Sequence, residues 1–112
     1  MTGTLNDLSA PLLALRLLAV EFAHLPAPSV SVSTVYPDLL HLSFHDGGFA
    51  SFEAWREALE IDPAEVVHHV QGDGRTGVLD VHGVFAGARL RLTGYTRIAS
   101  GTGVPADAGA VS

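Results

Sequence analysis

The sequence contains no cysteine and no lysine among its 112 residues. Without cysteine the chain has no disulfide bonds and no thiolate-bound metal. The absence does not indicate whether the protein works in an oxidising or a reducing compartment. All six cationic side chains are arginine, against twelve acidic residues, so the formal net charge is −6. This acidic balance argues against nonspecific binding to nucleic acid or to an anionic membrane, both of which need a basic surface.

A long hydrophobic run is also missing. The most apolar stretch, residues 10–23, is interrupted by Arg16 and Glu21 and is shorter than the roughly 20 residues that span a bilayer. No basic segment precedes it, as a secretion signal would require. We therefore expect a soluble, cytoplasmic protein with no membrane contact.

Hydrophobic residues make up 47% of the chain, which is enough for one modest core in a domain of this length. We assign that domain to residues 1–98. Residues 99–112 are small, polar and glycine-rich without apolar periodicity, which predicts a flexible carboxyl-terminal tail.

The segment 78–98 consists of two alternating runs that meet at Ala86-Gly87, where glycine supplies the positive φ of a two-residue hairpin turn. This turn predicts an inward row of facing pairs: Phe85 with Ala88, Gly83 with Leu90, Val81 with Leu92, and Leu79 with Gly94. The other row points outward and is mostly polar: Asp80, His82, Val84, Arg89, Arg91, Thr93, Tyr95 and Arg97. A slip of one residue would bury the arginines, so the register is well specified.

The first third of the chain predicts a helix and a second hairpin. Apolar residues recur at helical spacing from a start near Asp7–Ser9: Leu8, Leu12, Leu15, Ala19 and Phe22. The further apolar residues Leu13, Leu17, Leu18 and Val20 widen this face and predict deep burial or a contact with another subunit. Residues 29–45 then alternate on either side of a predicted turn at Tyr36-Pro37-Asp38, with His41, Ser43 and His45 outward.

The remaining elements are a short helix over residues 49–61, a helical turn at Asp62-Pro63-Ala64-Glu65 and a strand over residues 66–71, of which His68 or His69 faces outward. The order αββαβββ predicts an α+β two-layer sandwich, with two helices on one face of a five-stranded, mostly antiparallel sheet. The segment joining the second and third strands is either a parallel crossover or a helix lying across the end of the sheet.

Histidines are the first candidates for chemistry. His41 and His45 lie roughly 13 Å apart along one strand, so a metal site would also need His82 and Asp80 from a neighbouring strand. The other interpretation is a solvated face that uses histidine as a half-polar residue.

The arginine row of the last strand is the second candidate. Arg89, Arg91 and Arg97, with Tyr95, would contact phosphates, or an acidic partner through bidentate pairs. Alternatively, these arginines cover the sheet and pair across strands with Asp80 or other acids. The negative net charge argues against nucleic acid as the partner.

Motifs for catalysis are not found. The serines have no nucleophile-elbow context, and the glycine-rich residues 72–77 precede a strand, whereas phosphate loops precede a helix. We therefore expect a protein that is not an enzyme and needs no cofactor.

Two stretches carry a resemblance to known sequences: Phe52-Glu53-Ala54-Trp55-Arg56-Glu57-Ala58-Leu59, and the segment 83–95 that begins Gly-Val-Phe-Ala-Gly. Over residues 44–98 the chain resembles small uncharacterised proteins of actinobacteria, some encoded near phage or integrative-element genes. That family has no assigned activity, so the resemblance implies a genomic context and no site residues.

Together these patterns predict a small accessory or regulatory protein that acts by protein–protein interaction. The predicted partner surface comprises His41, His45, His82, Arg89, Arg91, Tyr95 and Arg97. A second predicted surface, for a homodimer or a hetero-complex, comprises Leu13, Leu17 and Val20. The alternative is a metal- or small-ligand-binding domain that uses His41, His45, His82 and Asp80.

Overall fold

The computed structural model describes residues 3–45, 48–72 and 74–97. In chain order the elements are a 3-10 helix (Leu5–Leu8), α1 (Ser9–Glu21), β1 (Ser29–Ser33), β2 (Tyr36–Phe44), α2 (Gly48–Ala58), a second 3-10 helix (Pro63–Glu65), β3 (Val67–Val70), β4 (Thr76–Phe85) and β5 (Ala88–Arg97). The predicted α+β order is confirmed. The predicted tail, residues 99–112, lies outside the described residues.

The five strands form one sheet in the order β1-β2-β5-β4-β3. Three neighbouring pairs are antiparallel, and the pair β2–β5 is parallel. It follows that β3 runs parallel to β2 from the far edge of the sheet. The segment containing α2 is therefore a crossover that joins the parallel strands β2 and β3. Of the two alternatives left open by the sequence, the parallel crossover is confirmed.

The β4–β5 hairpin has the predicted register, from Phe85 opposite Ala88 to Leu79 opposite Gly94. Both turn residues have positive φ, 51° at Ala86 and 82° at Gly87. Such a turn has the twist that suits antiparallel strands. The local turn thus fixes which side chains of both strands face the helices.

The core lies between this sheet and the two helices. Leu40, Leu42 and Phe44 of β2 meet the inward row of the hairpin there, and Phe52 and Trp55 of α2 complete it. Gly94 marks the closest approach, because a Cβ at this position would lie 2.8 Å from Cβ of Phe52. Trp55 also donates its indole N–H to the carbonyl of Pro26, at 2.7 Å, and so attaches α2 to the α1–β1 connection.

The predicted buried line of α1 is right only in part. Leu15 and Phe22 pack partly buried against the core, but the fully buried residues are Pro11, Ala14 and Leu18, and Ala19 is exposed. This helix is apolar on nearly all sides, so its periodicity does not identify the side that packs. The small side chain of Ala14 faces the sheet and lets the helix approach closely.

The predicted turn at Tyr36-Pro37-Asp38 is also wrong, because these residues begin β2 and the chain reverses at Thr34-Val35. Ser33 Oγ accepts a hydrogen bond from the Val35 N–H at 3.1 Å. Proline is tolerated because pairing with β5 starts only at Leu39, so Pro37 has no β5 neighbour to which it would donate.

Candidate functional site on the uncovered sheet face

Both helices pack on the same side of the sheet, and among the described residues no helix covers the other side. We call that other side the open face. Its side chains form rows across the strands, because the register aligns them. One row holds Ser31, His41, Arg91 and His82; the next holds Ser29, Ser43, Thr93, Asp80 and Val67; a third holds His45, Tyr95, Val78 and His69.

A hydrogen-bonded network joins the first two rows at the centre of the open face. Arg91 donates hydrogen bonds to the Asp80 carboxylate from two nitrogens. Its Nε lies 3.1 Å from Oδ1 and 3.2 Å from Oδ2, and its Nη2 lies 2.9 Å from Oδ2. The Thr93 hydroxyl donates to Asp80 Oδ1 at 3.2 Å. His41 Nε2 lies 2.9 Å from the same hydroxyl oxygen. A chain of contacts therefore runs from β2 through β5 to β4.

The hydrogen bond from Thr93 to Asp80 implies one tautomer of His41. A hydroxyl has one proton, and Thr93 gives that proton to the carboxylate of Asp80. The Thr93 oxygen must then accept from His41, so Nε2 carries the hydrogen. In the neutral ring Nδ1 consequently holds the lone pair.

The charges of the network shift two pKa values. Burial raises the pKa of Asp80, but the hydrogen bond and charge of Arg91, with the Thr93 hydroxyl and His82, lower it by more, so that the pKa lies below its ordinary value. The pKa of His41 is also lowered, because of burial, Arg91 and His82, against the opposing charge of Asp80. At neutral pH the network therefore contains an ionised Asp80 and an uncharged His41.

Two aromatic rings stack beside this network. The rings of His45 and Tyr95 have centroids 4.7 Å apart and planes 5° from parallel. Val78, next to Tyr95 in the same row, is buried although it lies on the open face. Large neighbouring side chains thus cover the sheet here, and the surface is packed as well as polar.

The other arginines of β5 lie towards the two ends of this strand. Arg89 forms a two-pronged pair with Asp38, with Nε at 2.8 Å and Nη2 at 3.0 Å from the carboxylate oxygens. Both side chains remain about half exposed. The Asp38 hydrogen bond raises the pKa of Arg89, and Arg89 in turn lowers the pKa of Asp38. Arg97 is exposed at the far end of the strand.

The residues of the predicted partner surface therefore lie on one face, but the residues of the predicted metal site do not converge. His41 and His82 flank Arg91 on either side, about 10 Å apart at two strand spacings. Asp80 is engaged by Arg91 and Thr93. In the described part of the chain no group of three or more His, Asp or Glu side chains is placed to hold a metal ion.

The second predicted surface is exposed on the outer side of α1. Leu13, Leu17 and Val20 are 53%, 40% and 75% exposed, and they lie on a side of the helix that is turned away from the buried line. We call these three residues the α1 stripe. The stripe and the open face lie on opposite layers of the sandwich.

Charge is unevenly divided between the two layers. The helical segments, residues 5–25 and 48–66, carry seven carboxylates and two guanidiniums, a formal charge of −5. The five strands carry the acids Asp38 and Asp80 against three arginines, a formal charge of +1. The acidity of the protein is thus concentrated on the helical layer.

Sequence reasoning missed Thr93 as a site residue and Asp38 as the partner of Arg89. A threonine in an outward row beside an aspartate was visible in the hairpin register. Its contact with His41 was not, because that contact depends on the pairing of β2 with β5. Of the two neighbouring histidines of β3, His69 lies on the open face. His68 lies on the helical side, where the centroid of its ring is 6.1 Å from that of Phe49.

Comparison of the sequence with family models, with curated proteins and with solved structures finds no match. The actinobacterial resemblance therefore stays a prediction. Among the described residues no helix is both long and apolar enough to cross a membrane.

Proposed function

We propose that this protein is a non-enzymatic accessory protein that binds an acidic surface of another protein through its open face. The observation that carries the proposal is the division of charge: the strands have a formal charge of +1 in a protein whose formal charge is −6. Complementary potentials accelerate association and exclude wrong partners. An acidic partner would be repelled by the helical layer and would dock on the strands.

The composition of the open face also favours a protein partner. Arginine and aromatic side chains are enriched in protein interfaces and dominate their energetic hot spots. Here Arg89, Arg91 and Tyr95 project from the same strand, β5, which is the central strand of the five. A sheet face without a covering layer suits a macromolecular surface better than it suits a small ligand, which binds in a concave pocket.

The internal pairs reduce the cost of binding. Arg91 is held in place by Asp80, and Arg89 by Asp38, so fewer side-chain rotamers are lost when a partner docks. Arg89 is half exposed, and its two-pronged pair leaves one edge of the guanidinium for a further acceptor. A partner carboxylate would approach along that edge.

The test places a photo-crosslinking benzoylphenylalanine at Val84 in the native host. Val84 is 76% exposed and lies on the open face opposite Arg89. Val20, which is 75% exposed on the helical layer, provides the matched position. We expect an adduct with a different protein from Val84 and no adduct with that protein from Val20.

The protein identified in this way is then purified and titrated. We expect affinity to fall with rising salt and to drop at least about tenfold in Arg89→Glu, because like charges at an interface repel. Arg16→Glu makes the same charge change on α1 and should leave the affinity unchanged. Equal weakening in both variants, or identical adducts from Val84 and Val20, would contradict docking on the open face.

A further inference from the structure

The outer side of α1 is a second surface, and the proposed function does not use it. Its three apolar residues are at positions i, i+4 and i+7 of one helix, and the only charged residue between them is Arg16. A helix that exposes this pattern presents an apolar line to another surface. The open face lies on the opposite layer, so the two surfaces can be occupied at once.

Charge indicates which molecule fits the α1 stripe. Helix α1 contains one basic residue, Arg16, and one acidic residue, Glu21, so its formal charge is zero. The outer side of α2, by contrast, exposes Glu53 and Glu57. Two copies of a protein with charge −6 repel each other over most of their surfaces, and α1 is the part of the helical layer where this repulsion is smallest.

We propose that a second copy of this chain covers the α1 stripe. The stripe is self-complementary, as a twofold interface requires. When two α1 helices pack antiparallel about an axis between residues 16 and 17, Leu13 lies opposite Val20 of the second copy, and Leu17 lies beside the axis. Arg16 also lies near the axis, but it is exposed on the flank of the stripe, so its long side chain can extend into solvent. The resulting dimer presents its two open faces outward.

The size of the stripe makes this dimer weak. A helix of 13 residues is about 20 Å long and 10 Å wide. Its footprint of roughly 200 Å² is well below the roughly 800 Å² that each partner contributes to a standard interface. Association is therefore expected to depend on concentration, with monomer and dimer both populated in the micromolar to millimolar range.

The experiment is sedimentation equilibrium of the full chain, without an affinity tag, from about 10 µM to about 1 mM. We expect the wild-type mass to rise with concentration towards that of a dimer. In Val20→Glu and Leu17→Glu the mass should remain that of the monomer, because each acid places two like charges at the twofold interface. Val84→Glu changes the net charge equally on the other layer and should still dimerise.

Each outcome decides the proposal. Far-UV circular dichroism establishes that every variant is folded; if Leu17→Glu unfolds, Val20→Glu decides, because its side chain is three-quarters exposed. A wild-type protein that stays monomeric throughout overturns the proposal. So does a dimer that survives Val20→Glu or is lost in Val84→Glu. None of these results bears on the open face, whose test uses a different partner.

Discussion

Replacing Thr93 with valine tests the network at the centre of the open face. Valine has nearly the same shape, so the change removes the hydroxyl and leaves the packing intact. Thr93 is 2% exposed, so water cannot easily replace the hydrogen bonds. The variant loses one bond to the charged Asp80, at 3.2 Å, and one bond from His41, at 2.9 Å.

The magnitude follows from the two partners. A hydrogen bond to a charged group contributes about 1.5–3 kcal/mol, but this one is long and Arg91 still pairs with Asp80, so we take the lower end. The bond from His41 contributes less, because that ring is half-buried and reaches water. The free energy of unfolding should fall by about 1–2.5 kcal/mol, which lowers the urea midpoint by roughly 1 M.

Urea unfolding measures the loss, and nitrogen NMR of the imidazole reports the tautomer of His41. Thr93→Ser keeps the hydroxyl and removes only the methyl group, so its His41 spectrum should match that of the wild type. Wild-type stability in Thr93→Val, together with an unchanged spectrum for His41, would refute the network as described.

Two other perturbations test the packing and the titration. Gly94→Ala should destabilise the fold by about 1–3 kcal/mol, because the new methyl would lie 2.8 Å from Cβ of the buried Phe52. The control is Gly72→Ala, which should be nearly neutral in thermal melts because its new methyl would have no neighbouring atom within 4 Å. Equal melting temperatures for the two variants would contradict this helix–sheet contact. The pKa of His41 is lower in the folded protein than in the unfolded chain. As the pH falls below about 6.5, His41 is therefore protonated first in the unfolded chain. The free energy of unfolding should accordingly decrease from about pH 7.5 towards about pH 5. The decrease should be smaller in His41→Gln, as measured by urea titrations at each pH, and parallel curves for the two proteins would show that His41 does not contribute.

What the sequence predicts well is local. The β4–β5 register follows from the Ala86-Gly87 turn, because the turn residues and the alternating pattern agree. The helical turn predicted at Asp62-Pro63-Ala64-Glu65 is likewise local, since the Asp62 side chain accepts from the Ala64 N–H at 2.9 Å.

What the sequence does not predict depends on contacts between distant segments. The packing side of α1 is ambiguous because leucines surround it. Pro37 is typical of a turn in the sequence. That it can stand in β2 becomes clear only from the structure, in which β2 pairs with β5 from Leu39 onward. The link from His41 to Asp80 crosses three strands, and periodicity within one strand carries no information about its neighbours.

The parallel seam between β2 and β5 has a consequence for how the chain folds. Its paired residues keep a constant offset of fifty positions, from Leu39 with Arg89 to Phe44 with Gly94. Each antiparallel hairpin is local and can form within microseconds, whereas the seam requires closure of a long loop before any contact compensates for the lost entropy. We therefore expect joining of the two hairpins to be the slow step of folding, and the network of the open face, which spans the seam, to form with it.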